Sequence, residues 1–165
     1  NEMGKLCVNF YKTHKIGTVI KHLPGHGSAN LDSHFNLPKV KDTFKSLMRL
    51  DFKCFKNIPS FFAMTAHILY RNIDIKNNAT HSEMIIKKII RNKIGFRGIL
   101  ISDDISMNAL KFNLIKNADL ALKAGCNLVL YCAGRTNEMK RLLKTIPYID
   151  KFTAKKTSEF YDFLS

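Results

Sequence analysis

Residues 98–107 read GILISDDISM, an apolar run that ends in two adjacent carboxylates. The apolar residues from Ile99 to Ile101 do not alternate with polar ones, and this pattern predicts a strand that is buried on both faces, as strands of parallel sheets are. Asp103 and Asp104 follow at the point where that strand opens into a loop. Because parallel α/β folds place their chemistry at the carboxyl ends of the strands, we expect this end of the segment to be functional.

Similar short apolar segments at residues 18–20, 61–66 and 128–131 predict three further strands. Apolar residues at helical spacing follow each of them and predict helices there. Strands and helices therefore alternate along the chain. This alternation indicates four βα units within one α/β domain over residues 1–165, with a parallel sheet and right-handed crossovers.

The strongest helix signal lies between the second and third predicted strands. Thr80 and Glu83 have the spacing of a capping box, which predicts that a helix begins there. Isoleucines then mark one face of that helix, and Gly95 predicts its end. His81, inside the predicted capping box, is expected at the surface.

Two arrangements of the four predicted strands remain open. Functional residues at successive strand ends are typical of a (β/α) TIM-type barrel, which needs eight strands and typically about 250 residues. A chain of 165 residues would supply the second half only of such a barrel, leaving strand edges uncovered. An open four-stranded sheet with doubly wound topology is the alternative.

The composition excludes several classes of protein. The net charge of +14 suggests a nucleic-acid partner, but Lys far outnumbers Arg, so we predict a solvated basic surface and no nucleic-acid site. No apolar segment is long enough for a membrane span, and we predict no membrane partner. The cysteines are scattered without a C-x-x-C pair, which argues against a zinc ribbon or a disulfide framework and predicts a reduced, cytoplasmic location.

A long loop rich in Gly, Ser, Asn, Asp and His follows the first predicted strand. It begins in KHLPGHG, residues 21–27, and continues to DSH, residues 32–34. Histidine is suited to proton transfer because its pKa lies near neutrality, so this loop offers an acid/base candidate. The same side chains are suitable zinc ligands, but their spacing matches no metal motif, and we predict that no metal ion is bound.

Four motifs occur in one order along the chain: KHLPGHG at 21–27, DSH at 32–34, MTAHI at 64–68 and SDDISM at 102–107. Together they resemble the bacterial β-N-acetylglucosaminidases, or β-hexosaminidases, of glycoside hydrolase family 3, which act in cell-wall recycling. Leu23 stands where the family signature has Phe. The resemblance implies a TIM-like barrel of which this chain is the C-terminal half. In relatives, the first half supplies an Asp and Arg residues that grip the sugar hydroxyls.

The resemblance also implies catalytic roles. Asp103 would be the nucleophile of a retaining glycosidase, and Asp104 would hold structure. His34 would be the proton donor, and Asp32 would orient its ring, as in the Asp–His pair of a triad. From spacing alone, either adjacent aspartate could equally cap the turn, and His34 could be a solvated loop residue.

The remaining implied contacts are with the sugar. Lys21 and His22 match a pair that binds sugar hydroxyls in relatives, although a lysine at a strand end more often extends towards water. His67 is expected to line the pocket, and a hydrogen-bonded structural histidine is the alternative for it.

The resemblance implies a hydrolase that removes terminal β-linked N-acetylglucosamine from peptidoglycan-derived muropeptides without a cofactor. Its ligand would be a small carbohydrate, and its partner would be the missing half of the barrel. Two alternatives remain. One is an inactive truncated remnant or one half of a split barrel that needs its N-terminal half. The other is a basic binding module.

Overall fold

The structure, a computed structural model, describes residues 1–29 and 36–165. Its strands are, in chain order, β1 (Val19–Leu23), β2 (Lys39–Val40), β3 (Phe62–Thr65), β4 (Leu69–Tyr70), β5 (Ile99–Asp104) and β6 (Leu128–Leu130). Strands β1, β3, β5 and β6 form one parallel sheet in that order, and β2 pairs in parallel with β4. The four strands predicted from the sequence are confirmed, and β2 and β4 are additional to them.

Helices alternate with the strands of the main sheet. They are α1 (Glu2–Thr13), α2 (Phe44–Arg49), a π-helix (Ile85–Ile94), α3 (Leu114–Ala124), α4 (Thr136–Thr145) and α5 (Lys151–Leu164), with 3-10 turns at Phe52–Phe55 and Ala79–His81. Gly95 ends the π-helix in the left-handed conformation, with φ of 82°, and confirms the predicted end.

The spacing of the isoleucines explains why residues 85–94 form a π-helix. At the 100° per residue of an α-helix, Ile94 would lie on the side opposite Ile85. A π-helix has roughly 4.4 residues per turn, so the two side chains return to nearly the same side. Both are fully buried, at 0% exposure. Wider winding therefore turns the whole apolar set of this helix towards the sheet.

The strand order decides between the two predicted arrangements. The sheet follows the chain from β1 to β6 without a reversal, so successive right-handed crossovers place their helices on one face. That is the pattern of a barrel wall, whereas a doubly wound sheet reverses direction and carries helices on both faces. The predicted α/β parallel fold is confirmed. Within the described residues β1 pairs only with β3 and β6 only with β5, so the barrel is not closed.

The face of the sheet that meets the π-helix forms the main core. Ala63 of β3 and Leu100 of β5 are fully buried there, and Ile86 and Ile90 of the π-helix belong to the same cluster. Burial of such side chains stabilises the fold by roughly 1.5–3 kcal/mol for each large one. This face therefore holds the strands in place and leaves their ends free to carry polar groups.

The opposite face of the sheet is apolar but incompletely covered. The strand register places its side chains in two rows, Val19–Phe62–Ile99 and Met64–Ile101–Leu128. The two residues on the edge strands are the most open, with Val19 44% and Leu128 38% exposed. These rows are the side chains that would fill the interior of a closed barrel.

The amino end of the sheet is covered by α5. The ring of Phe160 packs against Phe61 and Phe62, with centroids 5.3 Å and 4.8 Å away, and Phe163 stacks near Phe61 at 4.8 Å. Gly17 must be a glycine in this arrangement, because a Cβ atom there would lie 2.5 Å from the Phe160 ring. The carboxyl ends of the strands lie at the other end of the sheet.

Asn127 joins three separate elements just before β6. Its Oδ1 accepts hydrogen bonds from Arg91 Nη2 at 2.7 Å and from the Leu100 backbone N–H at 2.8 Å. Its Nδ2 donates to Thr153 Oγ1 of α5 at 2.9 Å. One side chain thus ties the π-helix, β5 and α5 together.

We expect Asn127→Leu to lower the free energy of unfolding by about 2–3 kcal/mol, because the guanidinium of Arg91 and a β5 amide both lose their acceptor. Asn127→Asp keeps that acceptor and should retain most of the stability. Urea unfolding at pH 7 measures both. Asn137→Leu, at an exposed position of α4, is the control. Equal losses in Asn127→Leu and Asn127→Asp would contradict the role of the shared oxygen.

Candidate active site

Asp103 is placed at the tip of β5, where the sheet opens. Its side chain is 15% exposed, and its Oδ1 accepts the backbone N–H of Asp104 at 2.9 Å. Its Oδ2 lies 3.7 Å from Nε2 of His22, which projects from the end of β1. Strand β3 separates these two strands in the sheet. The fold therefore brings together two residues that the sequence analysis singled out far apart in the chain.

Asp104 has a different environment from its neighbour. Its Oδ1 accepts hydrogen bonds from the backbone N–H of Ser106 at 3.0 Å and of Cys132 at 3.1 Å, and the Ser106 hydroxyl donates to the same carboxylate at 2.8 Å. The carboxylate closes the turn after β5 and links it to the segment after β6. Turn capping thus belongs to Asp104, as expected for a structural aspartate, and the Asp103 carboxylate is directed to the sheet end.

The imidazole of His22 lies beside the Asp103 carboxylate at this end of the sheet. Burial lowers the pKa of His22, and the charge of Lys21 and the rings of His26 and His67 act in the same direction, against the opposing effect of Asp103. The imidazole is therefore neutral at neutral pH. A separation of 3.7 Å is also too long for a hydrogen bond. The ring borders Asp103 without a hydrogen bond to it.

Two side chains hold the start of the loop after β1 in place. Asp51 accepts the backbone N–H of Ser28 at 2.9 Å, and the buried Tyr70 hydroxyl donates to the carbonyl of Gly25. Gly25 is required here because an added Cβ would lie 2.7 Å from the Cβ of Asp51. This anchoring fixes the start of the loop that carries the predicted acid/base residues. Asp32 and His34 themselves lie outside the described residues.

His67 is placed differently from the prediction that it lines the sugar pocket. It is 0% exposed. Its Nε2 lies 3.0 Å from the carbonyl oxygen of Asp104, and its Nδ1 lies 2.8 Å from Thr80 Oγ1. Since both ring nitrogens are engaged inside the protein, the structure does not support direct contact with a sugar. The alternative of a hydrogen-bonded internal histidine describes it correctly.

Thr80 also departs from its predicted role. Its hydroxyl does not cap the helix but lies 2.8 Å from the hydroxyl of Thr65, within a buried network that includes His67. Ser82 Oγ accepts the N–H of Ile85 in its place at 3.2 Å. Thr65 and Thr80 are thus supporting residues that sequence reasoning missed. The available signal was a threonine at the end of an otherwise apolar strand.

His81 is buried, contrary to the expectation of a surface residue. Its exposure is 8%, and its Nε2 has no hydrogen-bond partner among the described residues. Burial lowers the pKa of His81 to about 4, with a further lowering by His67 and a partial opposing effect from the Asn117 backbone. The folded protein therefore favours the neutral form of the His81 imidazole.

This burial predicts a stability loss in acid. The pKa of His81 is lower in the folded protein than in the unfolded chain, so the unfolded chain takes up the proton first as the pH falls. The free energy of unfolding that is present above pH 6.5 therefore declines towards pH 4. We expect the wild-type protein to lose about 1–2 kcal/mol more than His81→Gln between pH 7 and pH 5. Urea unfolding at each pH measures the difference. Parallel losses in both proteins would contradict it.

Over residues 1–29 and 36–165 there is no group of three or more His, Cys, Asp or Glu side chains that could hold a metal ion. In the same part of the chain, no helix is long and apolar enough to cross a bilayer. The absence of a metal ion stays a prediction, because part of the histidine-rich loop lies outside the described residues.

Comparison with known proteins identifies relatives of this arrangement. Residues 1–155 match the family model described as glycosyl hydrolase family 3 N terminal domain. A β-hexosaminidase of Psychromonas ingrahamii is 31% identical over 165 residues, which cover 96% of this chain and 47% of the relative. The chain spans about half the length of the curated relatives it matches.

Solved structures share the fold. A family 3 β-N-acetylglucosaminidase from Paenibacillus superposes with a TM-score of 0.82 at 27% identity, over 94% of this chain and 32% of that chain. NagZ from Neisseria gonorrhoeae, in complex with N-trifluoroacetyl-D-glucosamine, gives a TM-score of 0.75 at 30% identity, over 87% and 43% respectively. The open sheet described above therefore corresponds to part of a larger domain in each of them.

Proposed function

The chain belongs to glycosyl hydrolase family 3, and on that basis we propose that it carries the nucleophile of an enzyme that hydrolyses terminal β-linked N-acetylglucosaminides. The observation that carries this proposal is the position of Asp103, a partly exposed carboxylate at the open end of the sheet beside His22. Relatives of the chain are β-hexosaminidases and β-N-acetylglucosaminidases. The activity of the whole protein is part of the proposal.

The proposed mechanism is retaining. The Asp103 carboxylate attacks the anomeric carbon, the bond to the leaving oxygen breaks as that oxygen is protonated, and water then hydrolyses the glycosyl ester. The Asp104 N–H, bound to Oδ1 at 2.9 Å, holds the carboxylate so that Oδ2 is the attacking atom. No cofactor is needed, since every step uses a side chain or water.

The proton donor in this proposal is His34, with Asp32 orienting its ring. Both lie outside the described residues, so these two roles rest on the family resemblance alone. Their chemistry is suitable, because an imidazole near neutrality can donate a proton to the leaving group and then accept one from water. Hydrogen bonds with Asp51 and Tyr70 hold the start of their loop next to the end of β1.

Sugar recognition is assigned to Lys21 and His22, which lie near the end of β1, with His22 beside Asp103. Lys21 is exposed and His22 half-buried, so both can present donors to sugar hydroxyls. Peptidoglycan-derived muropeptides are the proposed substrates, in cell-wall recycling. A cytoplasmic location belongs to the same proposal.

We expect Asp103→Asn to lower kcat for an aryl N-acetyl-β-glucosaminide at least about thousandfold, because an amide cannot form the glycosyl ester. Asp119→Asn, which removes an exposed carboxylate on α3, is the matched control and should keep full activity. Steady-state kinetics of the complete enzyme measures both. Mass spectrometry after reaction with a slow fluorinated substrate should find the sugar on Asp103. Wild-type turnover in Asp103→Asn would end the assignment.

The unpaired edges and the incompletely covered face of the sheet also support the proposal of a partner. The β1 and β6 edges and the two apolar rows would be covered by four further βα units, which together with this sheet make an eight-stranded barrel. Those units are the proposed partner, whether joined in one polypeptide or supplied separately. The exposure of Val19 and Leu128 supports this, because both lie in rows that a closed barrel fills.

Produced without those units, the chain is expected to bind an apolar fluorescent dye and to self-associate, since two unpaired edges border an apolar face. The double variant Val19→Lys/Leu128→Lys should reduce both effects, and Leu143→Lys, at an exposed position on α4, should not. Dye fluorescence and sedimentation velocity measure them. A monodisperse wild-type chain that excludes the dye would show that the face needs no cover.

A further inference from the structure

His67 connects the end of β3 to the tip of β5 through both nitrogens of its ring. The ring is completely buried, and its Nε2 lies 3.0 Å from the Asp104 carbonyl oxygen. At the other side, Nδ1 lies 2.8 Å from Thr80 Oγ1, which lies 2.8 Å from the hydroxyl of Thr65. A chain of hydrogen bonds therefore runs from the end of β3 to the peptide that follows Asp103.

The partners of the ring fix its protonation. A carbonyl oxygen only accepts, so Nε2 must carry the proton that binds Asp104. The Thr80 hydroxyl has one proton, and its contact with Nδ1 at 2.8 Å is shorter than its contact with the Ala66 carbonyl at 3.2 Å. Thr80 therefore donates to Nδ1 and accepts from Thr65. Burial lowers the pKa of His67 against the opposing effects of Asp104 and Asp103, which favours the neutral ring.

The Asp104 residue that His67 binds also sets the orientation of the nucleophile. The carbonyl of Asp104 is held by His67, its carboxylate by Ser106 and Cys132, and its N–H is donated to Asp103 Oδ1 at 2.9 Å. The only other described bond to this carbonyl is the longer one from the Met107 N–H, at 3.2 Å. Without His67 the residue could therefore rotate within the turn, and its N–H would move away from Oδ1. The direction of Oδ2 towards the open end of the sheet would then no longer be fixed.

We propose that His67 is a positioning residue for the nucleophile, a neutral Nε2–H donor that locks the Asp104 backbone and thereby aims the Asp103 carboxylate. This inference rests on the proposed function and adds to it a residue that never touches the sugar. A reacting carboxylate needs an orientation accurate to within about 0.5 Å, and supporting hydrogen bonds supply that accuracy.

Kinetics of the complete enzyme at pH 7 test the positioning role. His67→Leu is expected to lower kcat about 10- to 100-fold, the usual effect of losing such a support, with KM changed less than about twofold. His67→Gln keeps an amide N–H near the Nε2 position and should recover most of the lost rate. Thr80→Val, which leaves Nδ1 without its donor, should fall between them.

His81→Leu is the matched control, because it also removes a buried histidine but one without a hydrogen bond to β5. It should keep the wild-type kcat at temperatures where all variants are folded. An equal loss of kcat in His81→Leu would mean that general destabilisation explains the effect and would overturn the inference. A raised KM with unchanged kcat in His67→Leu would overturn it in favour of direct sugar contact.

A spectroscopic readout separates this inference from the proposed function. In the isotopically labelled complete enzyme, the ring nitrogens of His67 should give the 15N signals of the neutral Nε2–H tautomer at pH 7. The 13C signal of the Asp103 carboxyl group should move in His67→Leu, return in His67→Gln and stay unchanged in His81→Leu. An unmoved signal, or an Nδ1–H tautomer, would overturn the positioning role. Absent hydrolysis with the expected signals would instead contradict the proposed function alone.

Discussion

The pairing of β5 between β3 and β6 is the constraint on which the rest of the structure depends. A strand that is paired on both edges and packs Leu100 into the core cannot shift its register without moving apolar side chains out of that core. The position of Asp103 is therefore set by the core beneath it. His22 comes from β1, which lies on the far side of β3 from β5.

The tip of β5 is held by three independent supports. Asp104 uses its carboxylate for the following turn, its carbonyl for His67 and its N–H for the side chain of Asp103. A buried polar network of this kind is stable only when every member has a partner, and here Thr80 completes it. The two adjacent carboxylates can thus differ in role while sharing one sequence motif.

The sequence was sufficient for the four strands of the main sheet, because apolar runs carry that information directly. Its motifs singled out Asp103 and His22 separately, and only the fold shows that they are neighbours. It was insufficient where a polar side chain had two possible partners. Thr80 fits a capping box by spacing, yet tertiary packing turns its hydroxyl towards His67. An ordinary helix was predicted for residues 85–94. The spacing of the isoleucines, which buries Ile94, already indicated a helix with more residues per turn.

The contact between the Cys132 backbone and Asp104 has a further consequence for the thiol beside it. Burial, and then the negative charges of Asp104 and Asp103, raise the pKa of Cys132. Peroxide and electrophiles react with the thiolate, which is scarce under these conditions. The charges of Asp104 and Asp103 therefore make this exposed thiol less reactive towards oxidants.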